Sequence, residues 1–332
     1  MRILIIGGTR NLGHFLTLEL LEAGHQVTLF NRGRTPDELP PDIERLRGDR
    51  SRPAQLEAAL RGREFEAVVD TTLYNGPDAE ALVRLLDGRV GQVIFLSTGQ
   101  VYLVRANAQH PCKESDYDGP VMAAPQEDSR DYPDWLYGIE KRQAEDVFMA
   151  AWAEDRFPVT TLRLPMVNSE RDHHSRIHGY LLRLKDGGPI LLPDGPHLPL
   201  RHVYGHDVVK AIIHLLETGA GKGQAYNISQ EETISIDDFL VLLADLSGNP
   251  LRIKRVAPET LEAHNLIPAC SPFSDPWMSE LDNQLSKTAL GLTYTPLPLY
   301  LEKIVKYYAS GEHPIPESYR CRTEEYNLAG GV

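Results

Sequence analysis

The sequence predicts an α/β protein, a doubly wound parallel sheet of Rossmann type followed by a smaller, mainly helical C-terminal substrate lobe. Three observations carry the prediction. Residues 2–6 form a short apolar run that stops at glycine. A Gly-rich turn and a segment of helical period follow at once. Strand-like and helix-like segments then alternate as far as residue 164.

The run Ile3-Leu4-Ile5-Ile6 suits a strand buried on both faces. Leu12, Phe15, Leu16, Leu20 and Leu21 recur at helical spacing, and Gly24 closes the pattern. Residues 26–30 read as the second strand and complete a βαβ unit. Strand 44–47 precedes a helix over 53–60, and strand 65–70 precedes a helix over 78–86. Strand 92–97, a long helix over 135–153 and strand 159–164 follow. After Pro165 the pattern loosens, with prolines and glycines crowding 187–199. A helix at 206–217 and a strand at 225–228 return to the sheet. Short helices, a strand at 252–256 and helices near 281–290 and 299–309 complete the chain. Residues 1–164 and 203–228 are thus assigned to a dinucleotide-binding domain. Residues 165–202 and 229–332 are assigned to a substrate-binding lobe.

Composition narrows the function. The chain has 332 residues, 42% of them hydrophobic, enough for a sizeable core. A net charge of -13 repels nucleic acid and anionic membranes on average. Cys112, Cys270 and Cys321 are odd in number and form no C-x-x-C pair, which argues against a disulfide framework or a cysteine-based metal site. The N-terminal apolar run is too short for a signal peptide or a membrane span. The expectation is a cytoplasmic protein with a small-molecule substrate and no bound metal.

Gly7-Gly8-Thr9-Arg10-Asn11-Leu12-Gly13 joins the first strand to the first helix. Such a turn lets backbone approach a pyrophosphate closely and aims helix N-terminal N–H groups at it. An NAD site usually has an acid at the end of the second strand. Asn31 stands there, followed by Arg32 and Arg34, and Arg10 lies in the turn. Guanidinium groups beside an uncharged residue accommodate a 2′-phosphate, so NADP is preferred over NAD. Arg34 reads equally well as a surface charge. Asp49 is placed on the adenine amino group or, alternatively, in a turn.

The chemistry is assigned to two segments. Ser97 and Thr98 end a buried strand, where open α/β sheets place ligands. Tyr137 and Lys141 lie four apart on one helix face. An ammonium one turn from a phenol is expected to lower the phenol pKa towards neutrality, and a hydroxyl from Thr98 or Ser97 to hold the substrate oxygen. His173, His174 and His178 lack the carboxylate of a recognised zinc pattern and are read as polar contacts. Arg171, Arg176 and Arg201 read equally as contacts for an anionic substrate group and as solvent-exposed charges.

The order of glycine turn, Ser97-Thr98 ahead of Val101-Tyr102, and Tyr137…Lys141 resembles the extended short-chain dehydrogenase/reductases, the group of NAD-dependent epimerases and dehydratases. Leu162-Arg163-Leu164-Pro165, His202-Val203, Asp207-Val208, Tyr226-Asn227-Ile228-Ser229 and Leu290-Gly291-Leu292 echo family segments. Gly-Gly-Thr-Arg with Phe30-Asn31-Arg32-Gly33 is similar to an atypical branch that includes the chloroplast stem-loop-binding proteins. The resemblance implies Tyr137 as catalytic acid/base, Lys141 as its partner and Thr98 as the catalytic hydroxyl. It implies Gly7, Arg10 and Gly13 as the dinucleotide fingerprint and Pro165 beside the nicotinamide; Thr9, Asn11, Leu12, Asn31, Arg32, Asp49, Thr71 and Ser97 complete the candidate cofactor contacts, and Asn168 and Arg201 are candidate substrate contacts. Gly99-Gln100 stands where dehydratases of the family carry Asp-Glu, which argues against a 4,6-dehydratase. Met166 stands where many nucleotide-sugar enzymes have Asn. The resulting expectation is an NAD(P)-dependent epimerase or reductase acting on a hydroxyl or carbonyl of a sugar-like substrate. The rival is a non-catalytic dinucleotide sensor or RNA-associated protein on the same fold. Family members often dimerise through helices flanking the sheet, which leaves a homodimer open.

Overall fold

A computed structural model describes residues 1–330. In chain order it forms β1 (Arg2–Ile6), α1 (Asn11–Glu22), β2 (Gln26–Asn31), β3 (Glu44–Arg47), α2 (Pro53–Leu60), β4 (Ala67–Asp70), α3 (Gly76–Leu86), β5 (Gln92–Thr98), α4 (Gln100–Leu103), α5 (Tyr132–Asp155) and β6 (Val159–Leu164). Then come β7 (Val167–Asn168), α6 (Arg176–Asp186), β8 (Ile190–Pro193), β9 (Val203–Tyr204), α7 (Gly205–Thr218), β10 (Gln224–Asn227), α8 (Ile236–Ser247) and β11 (Ile253–Val256). The chain finishes with α9 (Pro258–Ala263), α10 (Gln284–Leu290), α11 (Leu297–Ala309) and α12 (Arg322–Leu328).

Two compact units divide the chain. The first comprises Met1–Pro165, Gly205–Ser229 and Leu281–Thr293. Its seven-stranded sheet runs β10-β6-β5-β4-β1-β2-β3, and every pair is parallel. The register sets Ile3 beside Val27 on one side and Ala67 on the other. Ile3, Leu4, Ile5 and Ile6 are all wholly buried, as a strand covered on both faces requires. Each such side chain contributes ~1.5–3 kcal/mol by leaving water. Leu4, Ile6, Val68, Val93 and Phe95 pack with Leu82 of α3 and Ala144 and Phe148 of α5. Residues 281–293 also belong to this unit, although the sequence division assigned them to the C-terminal lobe.

The second unit comprises Met166–Tyr204, Gln230–Glu280 and Tyr294–Val332. Its core gathers Tyr180 and Leu184 of α6, Phe239 and Leu243 of α8, and Tyr300 and Ile304 of α11. Two short two-stranded parallel pairs, β8 with β11 and β7 with β9, complete it. Among the described residues, no helix is long and apolar enough to cross a membrane.

Candidate active site

The first unit brings the glycine turn, the end of β5 and one face of α5 to the C-terminal side of its sheet. Gly7 has φ +105°, a conformation L side chains rarely adopt, and a Cβ there would lie 2.2 Å from Thr71 Oγ1. Thr71 closes the turn from β4, donating both its N–H and its hydroxyl to the Ile6 carbonyl at 3.0 Å. A Cβ on Gly13 would meet Gly8 Cα at 2.6 Å, so only glycine lets the helix start this close to the strand. Thr17 fastens the approach by donating to Gly13 O at 2.7 Å. Arg10 makes no side-chain cap to α1 and bonds Thr35 Oγ1 at 2.9 Å instead. The turn is therefore a cradle of backbone N–H groups at the N-terminus of a 12-residue helix, which fits a dinucleotide pyrophosphate.

The tip of β2 is held from both sides. Asn31 Nδ2 donates to Gly7 O at 3.2 Å, and Asn31 Oδ1 accepts from the Gly33 N–H at 3.0 Å and from Arg47. Arg47, at the end of β3, is a cation that sequence reasoning missed. Its position opposite Asn31 follows from the β2–β3 register, which pairs the two residues. Asp49 accepts from the Ser51 hydroxyl at 2.8 Å and N–H at 3.1 Å, and so serves as a turn residue. Those bonds, with smaller help from Arg32 and Arg52, hold its carboxyl below the usual range.

Thr98 ends β5, and the Gly99 N–H donates to Leu164 O at 2.8 Å, which sets the buried Pro165 beside that strand end. The Thr98 hydroxyl is close enough to the Tyr137 phenol to favour its ionised form. Gly138 makes the meeting possible, because a Cβ there would lie 2.6 Å from Val104 Cγ1 and 2.8 Å from Gln100 O. Lys141 is 4% exposed and donates Nζ hydrogens to Leu73 O at 2.6 Å and Leu96 O at 2.8 Å. Its Nζ lies 5.8 Å from the Tyr137 ring centre and 5.1 Å from that of Tyr74.

The charge states differ from the expected lowered phenol. Burial pushes the Tyr137 phenol well above its ordinary value, Tyr74 and Asp134 add to this, and the Thr98 hydroxyl opposes it. Lys141 is directed at two carbonyls, and its own proton is loosened by burial to a pKa of about 8. Asp70, Glu145 and Asp78 oppose that fall, and Arg50 assists it.

Two further candidate residues turn their side chains into the protein. Ser97 is 5% exposed and its hydroxyl donates to Glu145 Oε1 at 2.5 Å, so its side chain faces the buried Glu145–Arg163 pair. Asn168, in the second unit, is 3% exposed. Its amide nitrogen is 3.0 Å from His202 Nδ1 and 3.2 Å from Tyr300 Oη, so it ties β7 into that unit's core. Arg201 donates Nε–H to Gln230 O at 3.0 Å. His178 stacks on Tyr308 with ring centres 4.3 Å apart.

The model of the NAD dependent epimerase/dehydratase family matches residues 79–229. Over those residues, a little under half of the chain, the protein is similar to that family. It is 26% identical over 264 residues to the Arabidopsis thaliana chloroplast stem-loop binding protein of 41 kDa b, covering 75% of this chain and 64% of that one. It is 24% identical to 2'-dehydrokanamycin reductase of Streptomyces kanamyceticus, covering 78% of this chain and 70% of that enzyme. A Thermus thermophilus UDP-glucose 4-epimerase solved with NAD shares the fold, with TM-score 0.72, 17% identity and coverage of 94% of this chain and 100% of that one.

Proposed function

We propose that the protein is an NADPH-dependent carbonyl reductase of the extended short-chain type. The observation that carries the reading is the Tyr137 phenol, set beside Thr98 at the end of β5 and one helical turn from the buried Lys141. A phenol held above its ordinary pKa stands protonated at neutral pH. That state suits donation of a proton to a carbonyl oxygen. An epimerase or dehydrogenase must begin by removing one.

A bound nicotinamide supplies the hydride. Thr98 and Tyr137 orient the carbonyl oxygen by donating hydrogen bonds, and Tyr137 gives up its proton as the oxygen gains charge. Lys141, with a pKa near 8, then stabilises the phenolate and can return a proton near neutral pH. The glycine turn and α1 N-terminus would hold the pyrophosphate. Arg32 and Arg47, with uncharged Asn31 between them, would hold the adenosine 2′-phosphate. A 4,6-dehydratase is not supported, because Gln100 replaces a carboxylate and its amide donates to Asp134 at 3.0 Å.

The test is NADPH oxidation followed at fixed pH and temperature across a panel of ketones and aldehydes, sugar ketones included. The reading expects turnover with at least one carbonyl class, and a loss of roughly 10²–10⁴-fold in kcat for Tyr137→Phe with NADPH affinity retained. Turnover indifferent to that change would sink it. The relative named for stem-loop binding supports a second reading, an RNA-associated role, against which the net charge of -13 weighs. Salt-sensitive RNA binding by the full chain would favour it.

A further inference from the structure

Arg50 directly follows Asp49, yet it is 8% exposed. Its Nη2 lies 2.5 Å from Asp70 Oδ2 and its Nη1 3.3 Å from Asp78 Oδ1. Asp70, wholly buried at the end of β4, uses its other oxygen on the next turn. Asp70 Oδ1 accepts from the Thr72 N–H at 2.9 Å and from the Thr72 hydroxyl at 3.3 Å. The residue after Thr72 is Leu73, whose carbonyl takes the Lys141 ammonium at 2.6 Å. Tyr74 follows, with its ring 6.3 Å from that of Tyr137. An unbroken chain of short contacts thus runs from Arg50 through Asp70 and the 71–74 turn to Lys141.

We propose that Arg50 and Asp70 are positioning residues that hold Lys141 through the Leu73 carbonyl and balance its charge. Removing a guanidinium and a carboxylate from water is costly, and packing alone would be served as well by apolar side chains. What the ion pair adds is a fixed hydrogen-bonded turn and two charges of opposite sign near a buried ammonium. The groups facing Lys141 are Asp70 and Asp78 from β4 and α3, Glu145 from its own helix, Arg50, and the phenols Tyr74 and Tyr137. Arg50 and Lys141 on one side and Asp70 and Asp78 on the other make two cations and two carboxylates. Removing either member of the Arg50–Asp70 pair must therefore move Lys141 in opposite directions. Without Asp70, Arg50 disfavours the ammonium. Without Arg50, two carboxylates favour it. The balance matters to catalysis only if the reductase reading holds, but the coupling itself does not depend on it.

The experiment is a pH titration of the full chain labelled with 13C at lysine Cε, followed by NMR, with Lys141 assigned by Lys141→Arg. The chain has nine lysines, and Lys141 is expected to titrate below the rest. Asp70→Asn should lower the Lys141 midpoint by about one pH unit, and Arg50→Met should raise it by a similar amount. Asp78→Asn, at a less buried carboxylate, gives a smaller fall and serves where Asp70→Asn does not fold. Shifts of the same sign in the Asp and Arg variants, or an Asp78→Asn midpoint equal to wild type, would overturn the proposal. If the midpoints move as expected while Tyr137→Phe leaves turnover unchanged, the coupling stands and the reductase reading falls.

Discussion

Lys141 and Arg163 are two cations buried in the same unit, 4% and 2% exposed, and the protein treats them in opposite ways. Arg163 meets Glu145 through Nε at 3.0 Å and Nη2 at 2.6 Å, and donates Nη1–H to Tyr102 Oη at 2.6 Å. Tyr102 passes the chain to Asn227 at 2.8 Å, and Asn227 to Cys112 O at 2.9 Å. Burial works against the Arg163 charge, but Glu145 and Tyr102 outweigh it and the guanidinium holds its proton more tightly than usual. Lys141 is given two neutral carbonyls and no direct carboxylate, so burial prevails and its proton is loosened. A cation pinned by a carboxylate keeps its charge, and losing that carboxylate would leave it buried and uncompensated. A cation lodged among dipoles gives up its proton more readily, which Lys141 does at a pKa of about 8.

The largest effect should come from breaking the pinned pair. Glu145→Ala leaves Arg163 buried without its carboxylate and should cost about 3–5 kcal/mol in urea unfolding. A loss below about 1 kcal/mol would mean that the network does not hold β5, β6 and α5 together. Gly13→Ala forces a Cβ onto Gly8 and should cost about 1–3 kcal/mol. It should also weaken dinucleotide binding at least tenfold, read by NADPH fluorescence. Binding at wild-type strength would separate the turn from the cofactor site.

Lys141 gives the reverse of the Arg163 result. Its folded pKa, about 8, is below that of a free lysine. Below pH 8 both folded and unfolded chains carry the proton, and burying the ammonium weighs against folding. Between about pH 8 and 10 the folded chain gives up its proton first, so stability rises with pH through that window. The difference in Tm between wild type and Lys141→Met should therefore shift towards wild type as pH goes from 7 to 10. A constant difference would contradict the loosened proton. The smallest effect belongs to an exposed cation. Arg47→Gln should weaken NADPH by roughly three- to tenfold and leave NADH unchanged, since an exposed charge is screened. Equal weakening of both cofactors would place Arg47 away from the 2′-phosphate.

The same contrast explains what could be read from the chain alone. Strand 44–47, helix 53–60 and strand 159–164 match the observed β3, α2 and β6, because apolar period and flanking glycine or proline are local signals. Helix α4 is a single turn, too short to show a period. Strand β8 lies within the proline and glycine crowding of 187–199, and its partner β11 is far along the chain. Within the site, the glycine turn and the spacing of Tyr137 and Lys141 were visible because helix and turn geometry tie them together. Arg47, Arg50 and Glu145 were not visible, because their partners Asn31, Asp70 and Arg163 are joined only by sheet pairing and helix packing. The Ser97 hydroxyl turns to Glu145, away from the side its neighbour Thr98 faces, as successive residues of a strand do.

The most direct test of the account is to identify the small molecule released on denaturing the freshly purified protein, by mass spectrometry, and then to titrate the cofactor-free chain with NADPH and NADH. The account predicts NADP or an empty site, with NADPH bound at least tenfold more tightly than NADH. Tightly retained NAD, or binding of neither nucleotide, would contradict it.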